Sequence, residues 1–210
     1  MTNAQDERAA LAALLDETGP DEPTLCEGWQ TRDLAAHLVL RERRPDAAVG
    51  MAGGPLAGYA AKLLQQYQDR YPYAELVTLF RSGPPRLSPF AIPGADEAAN
   101  AVEYFVHHED VRRAAPGWTE REISPALAEL LWKRLKAARL MLRSAPTGIV
   151  LAREHDGKLD LIVAKTAAPT VTVTGSPAEL TLWTMGRGRA ANVTLDGPPD
   201  AVAKLSAWRA

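Results

Sequence analysis

Apolar residues recur at helical spacing along the first two thirds of the chain and at strand spacing along the last third. Ala9, Leu11, Leu14 and Leu15 define one helical face, and Pro20 and Pro23 bracket the loop that follows. Thr31, with Asp33 just inside, predicts an N-cap with an acidic first turn. The helix it opens carries Leu34, Leu38 and Arg41 on one side. Residues 50–58 are a small-residue break. Residues 59–71 and Tyr73–Arg81 predict two shorter helices separated by Pro72, and the breaker-rich run 82–94 predicts an extended loop. Residues 96–115 predict a long helix closed by Pro116 and Gly117, and Ser124-Pro125 opens another reaching about Leu142.

Near residues 144–148 the period changes to two. Ile149, Val150 and Leu151 precede Asp156-Gly157, a strong hairpin signal. Leu159, Leu161 and Val163 alternate with Asp160, Ile162 and Ala164, and Val171 and Val173 alternate with threonines. Ser176-Pro177-Ala178-Glu179 predicts a capping box with proline at the first helical position. Val193 and Leu195 predict one more strand, and Pro198 starts a last helix through Val202 and Leu205. The pattern therefore predicts an all-helical domain over residues 1–145 and a small α+β domain over residues 146–210, an α plus small α+β fold class.

Composition narrows the function classes. The 210 residues carry a net charge of −2, with 46% hydrophobic and 24% charged residues, which leaves no basic footprint for nucleic acid. A single cysteine, Cys26, allows no intramolecular disulfide and suits a reducing compartment. The polar, acidic start lacks a signal-peptide apolar run, and no stretch approaches the roughly 20 apolar residues of a membrane span. A cytoplasmic protein is expected, a monomer or weak homodimer.

The candidate chemistry lies in the helical part. Glu103 and His107 are spaced i, i+4 and project from one face. Val102, Phe105 and Val106 make that helix apolar on most sides, so part of its polar stripe, Asn100, Glu103, His107 and Asp110, must be buried. An unpaired buried carboxylate costs several kcal/mol, so Glu103 needs a cation, either Arg41 or a metal. His37, between Leu34 and Leu38, adds a second histidine from a facing helix. Two histidines and a carboxylate form a three-ligand site with open positions, suited to Zn²⁺, Fe²⁺, Ni²⁺ or Mn²⁺. Against this stands the commoner role of a histidine in an apolar helix, that of a satisfied core residue.

Two motifs carry a resemblance. Leu25-Cys26-Glu27-Gly28-Trp29-Gln30-Thr31-Arg32-Asp33-Leu34-Ala35-Ala36-His37-Leu38 resembles the opening signature of the mycothiol-dependent maleylpyruvate isomerase family, within the DinB-like group of metal-binding four-helix bundles. Glu103-Tyr104-Phe105-Val106-His107-His108-Glu109-Asp110-Val111-Arg112-Arg113 resembles its second ligand-bearing helix. The resemblance implies a DinB-like four-helix bundle followed by a sterol-carrier-like α+β domain, of actinobacterial type. It implies metal ligation by His37, Glu103 and His107, zinc foremost, with mycothiol as thiol cosubstrate. A small electrophile would then be isomerised or conjugated, making the protein a thiol-dependent isomerase or S-transferase. It further implies that an arginine of the C-terminal domain grips an anionic group, Arg187 matching best and Arg189 next.

Supporting roles follow from spacing. Asp110, one turn beyond His107, is placed to accept from that imidazole or to pair with Arg113 or Arg41. His108 points about 100° away from His107, which suits a supporting or surface role. Cys26 suits a packing residue better than a nucleophile, and His155 a solvated turn. Trp132, Trp183 and Trp208 suit core anchors. The competing function readings are a non-catalytic metal-binding protein, a small-molecule carrier in the α+β part, and a metal-dependent hydrolase with Glu109 as base.

Overall fold

The computed structural model describes residues 2–44, 46–47, 50, 56–85, 88 and 94–208, without the side chains of residues 95 and 98. The chain divides into two compact units, Met1–Thr119 and Glu120–Ala210.

The first unit is helical. Helix α1 (Asn3–Thr18) is opened by a capping box in which Thr2 Oγ1 accepts from the Gln5 amide and the Gln5 side chain accepts from the Thr2 amide. Helix α2 (Thr31–Arg43) is capped differently from expectation. Gln30 is the cap residue, its amide donating to Asp33 at 2.8 Å, while Thr31 is already helical and donates its hydroxyl to the Gly19 carbonyl. Helices α3 (Ala57–Arg70) and α4 (Tyr73–Arg81) flank Pro72, as the pattern predicts. Gly58 lies inside α3 rather than in a break. Residues 51–55 of the expected break, and 86–87 and 89–93 of the expected loop, lie outside the described residues. Helix α5 (Ala95–Arg112) ends three residues before the expected stop. Helix α1 packs on α4 and α5, and α2 packs on α3 and α4. Leu11, Leu15, Leu34, Leu38, Leu76, Phe80, Tyr104 and Phe105 fill the space between them.

The second unit opens with helix α6 (Pro125–Arg134), then turns of tighter helix over Leu135–Leu140 and Leu142–Ser144. The sequence pattern joins this segment to the bundle, ending the first domain at residue 145. In the structure Trp132, Leu135, Ala138 and Leu142 bury their apolar stripe with Ile149, Leu151, Ile162, Val171 and Val173. A helical period shows which side of a segment is apolar but not which neighbour covers it.

Strands β1 (Gly148–His155), β2 (Lys158–Lys165), β3 (Thr170–Thr174) and β4 (Thr194–Asp196) form one sheet in the order β2-β1-β3-β4. The β1–β2 and β3–β4 pairs are antiparallel and the β1–β3 pair is parallel. Asp156 and Gly157 both have left-handed φ, 51° and 69°, the geometry of the tight hairpin turn their dipeptide predicts. Helices α7 (Pro177–Leu182) and α8 (Pro199–Ala207) complete the unit. The capping box ahead of α7 is half made. Ser176 accepts from the Glu179 amide, but the Glu179 carboxylate accepts from the Asn192 amide, tying the helix to a later turn. Trp132 is a core residue, with Trp183 and Trp208 packed against the same core.

In β2 the alternation has a definite sense. Ile162 and Ala164 are buried, whereas Leu159, Leu161 and Val163 are each more than half exposed. Neighbouring residues of one strand should therefore respond oppositely to substitution. Ile162→Ala is expected to cost about 2–4 kcal/mol and Leu161→Ala to stay within about 0.5 kcal/mol, measured by denaturant unfolding of the two variants.

Candidate metal centre

Helices α2 and α5 bring the opening motif and the E-x-x-x-H motif face to face. Glu103 Oε1 lies 3.2 Å from His37 Nε2, 3.3 Å from His107 Nε2 and 3.1 Å from Arg41 Nε. The two imidazoles meet edge to face with centroids 5.1 Å apart. Potential ligand atoms of His37, Glu103 and His107 all lie within 4.8 Å of one another. Of the two candidate cations, Arg41 is in place beside Glu103. Three donor groups converge in a set that suits a borderline divalent ion. The residues present fit such an ion.

Arg41 is itself held. Its Nη1 donates to Asn100 Oδ1 at 2.8 Å and its Nη2 to the Ala99 carbonyl at 3.1 Å. Asn100 in turn donates to Asp96 at 2.7 Å, and Asp96 accepts from Arg8 at 2.9 Å. Arg8 continues into a buried cluster with Glu42 and Tyr104. The guanidinium is thus fixed by the polar stripe of α5 while it touches Glu103. The sequence pattern places Asn100 on that stripe, but its role in locking Arg41 depends on interhelical distance and leaves no signal in the sequence.

Asp110 meets His107, one of its expected partners. Its Oδ2 lies 2.9 Å from His107 Nδ1, whereas Arg113 pairs with Glu109 at 2.7 Å. Glu109 also meets Arg112 at 3.0 Å. Glu109, the candidate hydrolase base, is thus paired with two guanidinium groups of its own helix end. His108 is buried and faces Glu7, Nδ1 to Oε2 at 3.4 Å, so it takes no part in the triad. His155 is half exposed beside Asp156. Two contacts escaped the sequence reading: the Trp29 ring against His37, with centroids 5.1 Å apart, and the Cys26 thiol near Asp110. The Gly28-Trp29 dipeptide just ahead of α2 was the available clue to the first.

In the second unit, Arg187 donates to the Met185 carbonyl at 2.6 Å. Arg189 lines a cavity of about 520 Å³ with Trp183, Trp208 and Ser206. Beside the triad, Trp29, His37, Gly50, Ala57, Ala60, Ala61 and Leu64 line a mainly apolar cleft of about 250 Å³.

Electrostatics divides the two histidines. Burial pushes the His37 pKa down, and the hydrogen bond to Glu103 only partly offsets this. Burial also disfavours the His107 cation, but contacts with Asp110, Cys26 and Glu103 outweigh it and hold the pKa well above the usual range. Burial would raise the Glu103 pKa, yet hydrogen bonds from His107 and His37, with the charges of His107 and Arg41, hold it well below the carboxylate range. Without an ion, the site is a carboxylate braced by an imidazolium and a guanidinium.

The fold and site together define a helical bundle with a His-Glu-His cluster, joined in sequence to a small four-stranded α+β unit. Residues 1–135 match the family model described as the mycothiol maleylpyruvate isomerase N-terminal domain, and the chain belongs to that family. It is similar in fold to the crystal structure of the mycothiol-dependent maleylpyruvate isomerase, with 17% identity, a TM-score of 0.58, and coverage of 92% of this chain and 88% of that one. A histidine-to-alanine mutant of that isomerase matches over the same shares at 18% identity and a TM-score of 0.57. No curated protein matches the chain.

In metal-free protein, nitrogen-resolved NMR of the imidazoles should find His107 protonated through neutral pH and His37 neutral there. Glu103→Gln removes the carboxylate charge on the Nε2 side and should lower the His107 pKa. An unchanged His107 titration in that variant would contradict the arrangement.

Proposed function

We propose that His37, Glu103 and His107 hold one divalent metal ion, and that the protein is a mycothiol-dependent isomerase or S-transferase acting on a small electrophile. The observation that carries the reading is the convergence of three donor groups, one of which, His37, also lines an apolar cleft. Zinc suits two imidazoles and a carboxylate best, and nickel, manganese or iron would also be accepted. When bound, such an ion lowers the pKa of a thiol, so that thiolate is available at neutral pH. We further read the helical part as a DinB-like bundle and the α+β part as sterol-carrier-like. Support for this comes from the order of the two motifs and from the compact four-stranded sheet.

The chain's own residues divide the remaining work. Asp110 accepts a hydrogen bond from His107 Nδ1–H, which leaves Nε2 of that ring for the ion. Arg41 steadies the Glu103 carboxylate through Nε while Asn100 and Ala99 hold its two other nitrogens. Trp29, Ala57, Ala60, Ala61 and Leu64 give the cleft an apolar lining that excludes water from a reacting thiolate and leaves it more nucleophilic. Arg187 and Arg189 are the groups assigned to anionic portions of the thiol or electrophile, where a planar guanidinium can pair bidentately with a carboxylate.

The non-catalytic reading is less favoured, because structural zinc sites are usually closed by four protein ligands. Among the described residues no helix is long and apolar enough to cross a membrane.

Elemental analysis of protein purified without chelator should find one divalent ion per chain, and His107→Ala should lose it. Because His107 carries a raised pKa in the metal-free site, ion binding must displace a proton. The apparent affinity should therefore rise with pH up to that pKa and fall on acidification, with proton release measurable by calorimetry in two buffers. Ala61→Trp, which fills the cleft from an exposed position, should keep the ion and lose thiol binding. Metal-free wild type overturns the metal assignment. Loaded protein that neither binds mycothiol nor converts electrophiles overturns the thiol assignment.

A further inference from the structure

The loop between α1 and α2 touches both histidines. Trp29 covers His37, and Cys26 lies at the far side of His107, its Sγ 4.0 Å from Nδ1. The position of Cys26 is set by backbone. Its amide donates to Thr24 Oγ1 at 3.2 Å, and its carbonyl accepts from the Trp29 amide at 3.0 Å. The neighbouring Leu25 amide donates to the Asp110 carbonyl at 3.0 Å. Two successive loop residues therefore engage Asp110, one at the main chain and one at the side chain.

The side-chain contact decides the argument. Asp110 Oδ2 faces His107 Nδ1 at 2.9 Å and the Cys26 thiol at 3.2 Å. The terminal torsion of an aspartate is broad, so each donor on one of its oxygens narrows the orientations open to the carboxylate. The Cys26 thiol is a second donor on the same oxygen, a restraint carried by a different element. Cys26 and Asp110 are 84 positions apart in sequence, so α5 alone cannot supply this restraint.

We propose that Cys26 is a positioning residue: by donating its S–H to Asp110 Oδ2, it fixes the carboxylate that holds His107 Nδ1–H and keeps His107 Nε2 aimed at Glu103 and His37. The inference rests on the metal-binding reading of that triad and extends it to a side chain outside the ligand set. Sγ, Nδ1 and Oδ2 are also close enough together to share an ion. The alternative role for Cys26, that of a thiolate ligand, is therefore an outcome the test must separate.

Cobalt-substituted wild type would be compared with Cys26→Ala, Cys26→Ser, Asp110→Asn and the Cys26→Ala/Asp110→Asn double variant. Loss of a partner that orients a ligand typically weakens metal binding tenfold or more. Cys26→Ala should accordingly weaken Co²⁺ binding about tenfold and shift its visible bands, and Cys26→Ser, which keeps a donor, should recover most of both. The double variant should bind no more weakly than Asp110→Asn alone, since Cys26 acts through Asp110. Additive losses, an alanine variant like wild type, or a serine variant as impaired as alanine would each overturn the proposal. So would a thiolate-to-cobalt charge-transfer band in wild type that vanishes in Cys26→Ser.

A metal-independent reading separates this proposal from the one beneath it. In metal-free wild type the His107 Nδ1 proton should exchange slowly with solvent, and in Cys26→Ala faster. If wild type binds no Co²⁺, the metal assignment fails, and unchanged exchange in Cys26→Ala would then overturn the role of Cys26 as well. Should the alanine variant fail to fold, Cys26→Val keeps bulk without a donor and carries the same comparison.

Discussion

A carboxylate inside a helical bundle must be met by positive charge or by several hydrogen-bond donors, and the arrangement of the first unit turns on how Glu103 satisfies that requirement. Its side chain is only 22% exposed and draws His37 and Arg41 from α2 and His107 from its own helix. Solvation lost on burial is recovered only if these partners keep their geometry. The polar groups behind them follow from the same demand. Asn100 and Ala99 fix Arg41, Asp110 fixes His107, and Trp29 covers His37. A site that could accept a metal is thus also a site that the bundle must order to fold around.

The same constraint explains the opposed protonation of the two histidines. Each is buried, so each is pressed toward the neutral form. His107 sits between two carboxylates and retains a proton against that pressure; His37 has one carboxylate and lies near the positive Arg41 and His107, so it does not. For the proposed ion, His37 would be the ring ready to coordinate and His107 the ring that would first release a proton.

Much of this was legible in the sequence. Period 3.6 before residue 144 and period 2 after it separated helices from strands, and Asp156-Gly157 marked its hairpin correctly. The i, i+4 spacing of Glu103 and His107, with His37 on a helix whose Leu34 and Leu38 are buried, left a core role open, and the resemblance of the two motifs singled out the three residues. Other features needed three dimensions. The Leu135–Leu142 stripe reads as bundle helix until the sheet that covers it is seen. Gln30 displaced Thr31 as the α2 cap because the Thr31 hydroxyl is drawn to the Gly19 carbonyl across a turn. The hold of Cys26 on Asp110 spans 84 residues and follows no local period.

One consequence lies in the pitch of α5. Glu103, His107 and Asp110 occupy consecutive turns of a single uninterrupted helix, while His37 arrives from another. Their mutual angles are therefore set by helical geometry rather than by loops, and a residue inserted between Glu103 and Asp110 would turn the later groups by about 100°. Lineages of this fold can alter the centre by exchanging side chains at these positions. They cannot alter it by lengthening or shortening the segment that carries them, so over this stretch the helix is a fixed ruler against which any divergence must be written.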